Sequence, residues 1–282
     1  MNILILSRTE RYYATHRLVR EGRKLKHKVK VIDPLKYTLS ITNNQGTRYK
    51  KPNVVMPRIG NIAIEYSLAM VKQFELAGVK SINTSDSIYL AKDKFVSLMV
   101  LQSKGLPVPE TFMVRNKQTL SKAVKALGGL PIVLKLLRGS QGIGVKLAKT
   151  PVELLAYAQY TWLLDHDFIV QKYYPETKGE DIRILVIGRD IIGGMKRYSH
   201  KGDFRSNIHQ GGWGEKIDLS PTYKTLAKRA TRALGLDIAG VDIIETKHGP
   251  LIMEVNASPG FEGMEKITDK NIAKEMIKFV TG

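Results

Sequence analysis

Two apolar runs close the chain, "IAGVDIIE" and "LIMEVN", separated by the turn-like "TKHGP". They read as the two strands of a hairpin. Side chains alternate along a strand, so Glu254 and Asn256 lie on the same face. A symmetric hairpin has its midpoint at His248 and sets Asp242 directly across from Glu254. Facing carboxylates on one sheet face repel and destabilise the pair. The pairing therefore requires a cationic group between them, and that requirement constrains the rest of the molecule.

The 282 residues are enough for a substantial core and more than one lobe. With 43% hydrophobic and 25% charged residues, the composition is that of a globular protein. No apolar run reaches membrane-spanning length, and "MNILILSRTE" reads as a first strand rather than a signal peptide, so a cytoplasmic protein without membrane contact is expected. The absence of cysteine excludes disulfides, thiolate metal sites and cysteine nucleophiles. Lys and Arg total 45 against 26 acids, a net +19. Residues 1–60 hold 14 of these cations against Glu10, Glu21 and Asp33, which is +11 of the excess. Either a solvated Lys-rich surface or a field that attracts acidic peptides, nucleotides or RNA fits that bias.

The pattern to about residue 85 is strand, helix, strand, strand, helix: "NILILS", a charged helix around Thr15–Lys26, "HKVKVIDP", "NVVMPRIG" and "AIEYSLAMVKQFELAG". Such alternation predicts a small parallel-sheet lobe, and the missing G-x-G-x-x-G argues against a dinucleotide fold. "SDSIYLAKDKFVSLMVLQSKG" predicts one capped helix ending at Gly105. "PIVLKLL" and "VKLAK" read as strands, with a helix from Pro151 and a strand at "FIVQKYY". "DIRILVIGRDIIGGMKRYS" predicts a strand pair turning at Gly188-Arg189-Asp190. A helix capped by Ser220 with Pro221 at its first position runs to Gly235, and "TDKNIAKEMIKFV" is an amphipathic helix.

Chemistry concentrates in four places. "RGSQGIG" lies between two strands as a hairpin flap whose backbone N–H groups can approach a triphosphate, although a glycine-rich turn alone would look the same. Lys135 interrupts an apolar strand, where an ammonium needs an anion unless it snorkels from an edge. Asp242, Glu254 and Asn256 are hard oxygen donors suited to Mg²⁺ bridging phosphates rather than to zinc; the alternative is an exposed polar face. The loop "SHKGDFRSNIHQGG" carries Asp203, Arg205 and Asn207 after Arg197, and Arg205 could neutralise a transferring phosphoryl group.

In order, Lys94, Lys135, "GSQGIG", "IVQKYY", "DIRILVIG", "GDFRSN", "GVDI" and "MEVNASPG" resemble the ATP-grasp superfamily, and within it the RimK-type α-L-glutamate ligases. "ILSR", "PRIG" and "GDFRSN" carry the narrower likeness, which spans nearly the whole chain. It implies an α/β (α+β) ATP-grasp fold. An N-terminal parallel-sheet pre-ATP-grasp lobe would occupy residues 1–90, a central lobe 91–176 and a C-terminal lobe with the metal site 177–282, with ATP clamped between the last two. The resemblance puts the phosphates on Lys94, Lys135 and the flap residues Gly139, Ser140, Gln141 and Gly142. It puts adenine at the hinge of Gln171, Lys172, Tyr173 and Tyr174, and the ribose at Asp181. Asp242, Glu254 and Asn256 would hold Mg²⁺ or Mn²⁺, two ions in all. Arg183, Arg205 and Asn207 would line the phosphates and acyl substrate, with Arg205, Lys135 and Asn207 in catalytic roles.

The implied reaction is a two-step ligation of L-glutamate to the C-terminal carboxylate of a protein or peptide, through an acyl-phosphate. The family's acceptor type is a ribosomal protein, sometimes with an oligoglutamate tail. A ligase acting on an amino-group carrier protein or small cofactor is the alternative within the fold, and an RNA- or ribosome-binding protein without catalysis lies outside it. RNA contact would use the basic N-terminal lobe, and a homo-oligomer is implied. Three positions depart from the family pattern. Lys172 and Arg138 stand where acids are expected and would make the nucleotide site more positive, while Gln210 replaces a base and bears on substrate choice.

Overall fold

The computed structural model describes residues 1–41, 51–139, 144–199 and 213–282. The chain begins as expected with β1 (Asn2–Leu6), α1 (Tyr13–Lys24), β2 (Lys28–Ile32), β3 (Val54–Pro57) and α2 (Ile64–Leu76), and adds a short strand that the pattern did not predict, β4 (Lys80–Ser81). The four strands form a parallel sheet in the order β2-β1-β3-β4. The single helix expected up to Gly105 is two, α3 (Ser85–Lys92) and α4 (Lys94–Ser103). Asp93 separates them in an extended conformation, and its carboxylate accepts the backbone N–H groups of Phe95 at 3.0 Å and Val96 at 2.9 Å. A capping aspartate competes with helix continuation, which the apolar periodicity alone conceals.

A second sheet, ordered β5-β8-β6-β7, comprises β5 (Thr111–Val114), β6 (Ile132–Leu136), β7 (Val145–Ala148) and β8 (Phe168–Lys172). Helices α5 (Lys117–Ala126) and α6 (Pro151–Leu163) cover one face. Ile132 and Leu134 of β6 and Phe168 and Val170 of β8 point into that core, so the intervening Val133, Lys135, Ile169 and Gln171 point the other way. The third sheet, β11-β10-β9-β12-β13, is antiparallel: β9 (Glu180–Ile187), β10 (Asp190–Tyr198), β11 (Trp213–Lys216), β12 (Ile238–Thr246) and β13 (Gly249–Asn256). Helix α7 (Pro221–Ala233) follows its Ser220 cap as predicted, and α8 (Glu262–Thr268) and α9 (Ile272–Thr281) close the chain. None of the described helices is long and apolar enough to cross a membrane.

The parallel sheet and the third sheet share their buried clusters, whereas the second sheet has a core of its own. Asn83 fastens the shared part. Its amide nitrogen donates to the carbonyls of Ile238 and Ala257 at 2.7 and 2.8 Å, and its oxygen accepts from the N–H groups of Asp237 and Ile238 at 2.6 and 2.9 Å. On the other side, Arg17 of α1 donates to Glu265 of α8 at 2.9 Å and to Glu21 at 3.1 Å, and Tyr13 donates to Glu265 at 2.7 Å. Burial alone would raise the Glu265 carboxyl, but the hydrogen bonds from Arg17 and Tyr13 win and hold it below its ordinary 4.5. A depressed carboxyl stabilises the fold above its unfolded value and loses that contribution on acidification. Glu265→Ala is therefore expected to lower stability by about 3 kcal/mol at neutral pH, because Arg17 is left with an unpaired edge. Urea midpoints against pH should show the gap between wild type and variant shrinking as pH falls below 4.5.

Candidate active site

The carboxylate pairing expected from the sequence is present, but it arises differently. The hairpin turns over two residues, Lys247 and His248, so Thr246 pairs with Gly249 and Ile243 with Ile252. That register would oppose Asp242 to Met253. A bulge between Asp242 and Ile243 absorbs Met253 and brings Glu254 across from Asp242, with Gly240 then opposite Asn256. Such a one-residue insertion re-aims every side chain beyond it.

The cations that meet Asp242 are arginines from the neighbouring strands of its own sheet, Arg183 of β9 and Arg197 of β10. Asp242, buried, receives Arg183 Nε at 2.7 Å on Oδ1 and Arg183 Nη2 at 2.6 Å on Oδ2. Arg197, also buried, reaches Asp242 Oδ2 at 3.0 Å and forks onto Asp181 at 2.6 and 2.5 Å. Burial would push the Asp242 carboxyl up, yet Arg183 and Arg197 outweigh it and hold it below the carboxylate range. The Arg197 guanidinium is correspondingly raised, since Asp242 and Asp181 outweigh its own desolvation. The Asn256 amide is satisfied when its nitrogen donates to Glu254 Oε1 at 2.9 Å and its oxygen accepts from Arg183 Nη2 at 3.2 Å. Gly240 leaves room for the loop after β13: a Cβ there would stand 2.9 Å from Pro259.

The second sheet faces this surface with Lys135. Its ammonium donates to Gln171 Oε1 at 2.7 Å, and Gln171 donates in turn to Thr111 at 2.9 Å. Lys135 is half-buried. Desolvation pushes it down to about 8, against the attraction of Glu254. The Lys94 ammonium reaches the Gly139 carbonyl at 2.8 Å, at the edge of the flap. Thus Lys94, Lys135 and Gly139 come together, while the Gln171 side chain supports Lys135. Tyr173 and Tyr174 link β8 to β9; burial raises the Tyr174 phenol.

Two cations expected to make the nucleotide site more positive have acid partners. Lys172 lies on the face opposite Gln171 and pairs with Glu110 at 2.6 Å. Arg138 pairs with Glu65 of α2 and lies 4.9 Å from the Tyr89 ring centroid. Both cations are matched by an acid. Ser140, Gln141, Gly142, Asp203, Arg205, Asn207 and Gln210 lie outside the described residues. Conversely, Arg197, Arg58 and Lys92 enter the site without having been singled out for it. Arg58 follows β3, and Lys92 ends α3 with Glu254, Lys94 and Arg58 as its electrostatic neighbours. On an unbroken helix, side chains two apart diverge by about 200°; the break at Asp93 lets Lys92 and Lys94 share one site. "PRIG" and the doublet "AKDK" were the available signals.

Six cations, Arg58, Lys92, Lys94, Lys135, Arg183 and Arg197, thus accompany Asp181, Asp242 and Glu254. The positive excess suits phosphates. Among the described residues no group of three His, Cys, Asp or Glu is arranged to hold a metal ion, and a cation held here would need phosphate oxygens in its shell. Glu254 and Asn256, with the one acceptor site that Arg183 and Arg197 leave on Asp242, are oxygen donors of the kind that would suit a hard cation such as Mg²⁺.

Residues 1–88 match the family model described as the RimK PreATP-grasp domain, and residues 91–280 the RimK-like ATP-grasp domain. A probable alpha-L-glutamate ligase of Marinomonas sp. strain MWYL1 is 43% identical over 286 residues, covering 99% of this chain and 95% of that protein. The crystal structure of a RimK domain protein ATP-grasp from Sphaerobacter thermophilus superposes with a TM-score of 0.81 at 22% identity over 100% of both chains. The ATP-grasp ligase PsnB, solved with a precursor variant, Mg and ADP, gives 0.73 at 19% identity, covering 99% of this chain and 97% of that one. Lys135 provides a check on the site. Its ammonium is disfavoured in the folded state, a penalty present below pH 8 and lost as pH rises towards its unfolded value of 10.5. Lys135→Met should raise the Tm of the free protein at pH 7 by a few degrees and abolish the thermal shift given by Mg-ADP. Differential scanning fluorimetry reads both.

Proposed function

Since the chain belongs to the RimK-like ATP-grasp family, whose members are ATP-dependent, ADP-forming ligases that use Mg²⁺, we propose that it joins L-glutamate to the C-terminal carboxylate of a peptide or protein. The observation that carries this reading is the cation-rich face around Glu254, with Lys135 and Lys94 on one side and the arginine-held Asp242 on the other. The basic bias of residues 1–60 favours an acidic acceptor, and product ending in glutamate would remain one, so an oligoglutamate tail is part of the proposal.

In the first step an acceptor carboxylate oxygen attacks the γ-phosphorus of ATP, the bond to the β-phosphate oxygen breaks, and ADP leaves. In the second the amine of glutamate attacks the acyl carbon, inorganic phosphate leaves with the bond to carbon broken, and the nitrogen loses its proton to solvent. Lys135 and Lys94 are assigned to the phosphate oxygens, and Glu254, Asn256 and Asp242 to two Mg²⁺ ions. When bound, Mg²⁺ supplies charge neutralisation and alignment of the phosphates. Arg183 and Arg197 are assigned to positioning Asp242; for Arg183 this replaces the phosphate and acyl-substrate contact expected from the sequence, because its guanidinium is forked onto that carboxylate. Positioning and charge stabilisation suffice for phosphoryl transfer, so no protein nucleophile is needed. Arg205 and Asn207 are proposed to lie along the transferring group.

Mass spectrometry after incubation with Mg-ATP, glutamate and an acidic peptide should show additions of glutamate to the peptide. Additions in a control without peptide would indicate free polyglutamate synthesis. ADP release only with carrier proteins or other acids would move the substrate within the same chemistry. Glu254→Gln is expected to reduce ADP formation by about 10²–10³-fold while leaving the fold intact, because Glu254 is partly exposed. Wild-type turnover in that variant would falsify the metal assignment.

A further inference from the structure

Arg58 and Asn61 of the N-terminal lobe and Lys92 just beyond it bring three hydrogen-bond donors to the site, and no described carboxylate lies within hydrogen-bond distance of any of them. Arg58 emerges at the carboxyl end of the parallel sheet, where open α/β sheets place their ligands. Its Nη2 donates to the Pro259 carbonyl at 2.7 Å, and the guanidinium lies 6.0 Å from the Phe261 ring centroid. Lys92 donates to Asn61 Oδ1 at 2.9 Å. That contact turns the Asn61 amide so that Nδ2, a buried donor, is left with no partner among the described residues. An unpaired buried amide costs about 1–3 kcal/mol, so its retention calls for an acceptor that arrives from outside.

The surroundings say which kind. Desolvation lowers Arg58 to about 10, and it lowers Lys92 to about 8 against the attraction of Glu254. Lys92 has Glu254, Lys94 and Arg58 as its electrostatic neighbours, whereas Lys135 has Glu254, Lys94, Asp242 and Asp181. Glu254 and Lys94 belong to both groups, and the remaining members differ. Lys135 and the flap edge suit phosphates; the guanidinium, amide and ammonium suit a second, smaller anion next to Glu254. A carboxylate presents two planar oxygens to such donors.

We infer that Arg58, Asn61 and Lys92 form the subsite for the acceptor's terminal carboxylate, the group that is phosphorylated beside Glu254. The inference rests on the acceptor-ligase reading above. It makes the N-terminal lobe part of the acid-substrate site rather than a passive flank, and makes Arg58 and Asn61 binding residues that orient the attacking oxygen.

The test is steady-state kinetics on the full chain with Mg-ATP, glutamate and an acidic peptide, for wild type, Arg58→Gln and Asn61→Asp. Asn61→Asp keeps the side chain's shape, offers Lys92 an ion pair and so preserves the fold, but sets a negative charge where the acceptor carboxylate would lie. The KM for peptide should rise at least tenfold in both variants, with the KM values for ATP and glutamate within twofold of wild type. The same loss should persist when hydroxylamine replaces glutamate and hydroxamate is measured, because the amine site is then bypassed. A rise in the KM for glutamate with peptide unaffected would assign the donors to the amine substrate and overturn the subsite, and a rise confined to ATP would assign them to the nucleotide, with the same consequence. Unchanged constants in Asn61→Asp also overturn it. A wild type that ligates no acceptor overturns the ligase reading and the subsite together, whereas ligation with unaltered variant constants overturns the subsite alone.

Discussion

The buried Asp242 carboxylate sits on β12 with Arg183 of β9 forked onto it and Arg197 of β10 crossing from Asp181. Four charges stand in a row across three strands, and each is compensated only in one register. Removing one partner of a buried pair costs about 3–5 kcal/mol, and sliding a strand by one residue would unpair several at once. The apolar positions of β9 cannot impose this by themselves, because Ile182, Ile184 and Val186 fill one core and Leu185 and Ile187 another. Both faces being apolar, hydrophobicity alone tolerates a slip that the arginines forbid. The same register then delivers Glu254 and Asn256 to the site through the bulge at Met253.

That fixed surface extends into the N-terminal lobe. Asn83 and the Arg17–Glu265 contact tie the parallel sheet to the third sheet, and common buried clusters fill the space between them. Arg58 and Lys92 are therefore held against Glu254 by the same packing that holds Asp242. The central sheet is built otherwise. Its buried cluster is separate, and it meets the rest through polar contacts such as Arg138 with Glu65. Lys135 rides on this separately packed element, so the two halves of the site need not move together.

Much of the fold was readable because the periodicities are strong: the strand-helix alternation of the first lobe, the Ser220-Pro221 helix start and the turn at Gly188 all appear where expected. The differences arise where a local cap, turn or bulge overrides an apolar pattern. Asp93 caps a new helix inside an otherwise continuous one. The Lys247–His248 turn and the Met253 bulge each shift the hairpin register, and their effects cancel at Asp242. A symmetric-hairpin argument thus reaches the correct pair without containing either shift. Lys135 and Glu254 were detectable as charges in apolar strands. Arg197 was not, because "KRY" at a strand end reads as solvated until Asp181 and Asp242 are placed beside it.

The position of Glu254 poses an electrostatic question that the surrounding cations answer. A carboxylate there would repel both a triphosphate and the acid to be activated, and at low local dielectric that repulsion is large. Asp242 adds nothing to it, since two guanidinium groups neutralise it. Lys135 and Lys94 on one side and Arg58 and Lys92 on the other oppose what remains. None of these four ammonium or guanidinium groups is discharged by a described carboxylate within ion-pair distance; Lys135 rests on an amide and Lys94, Lys92 and Arg58 on neutral oxygens. Neutral partners hold a side chain in place without consuming its charge. The free protein thereby retains unspent positive potential on both sides of one carboxylate, at a cost to its own stability that incoming anions would relieve on binding.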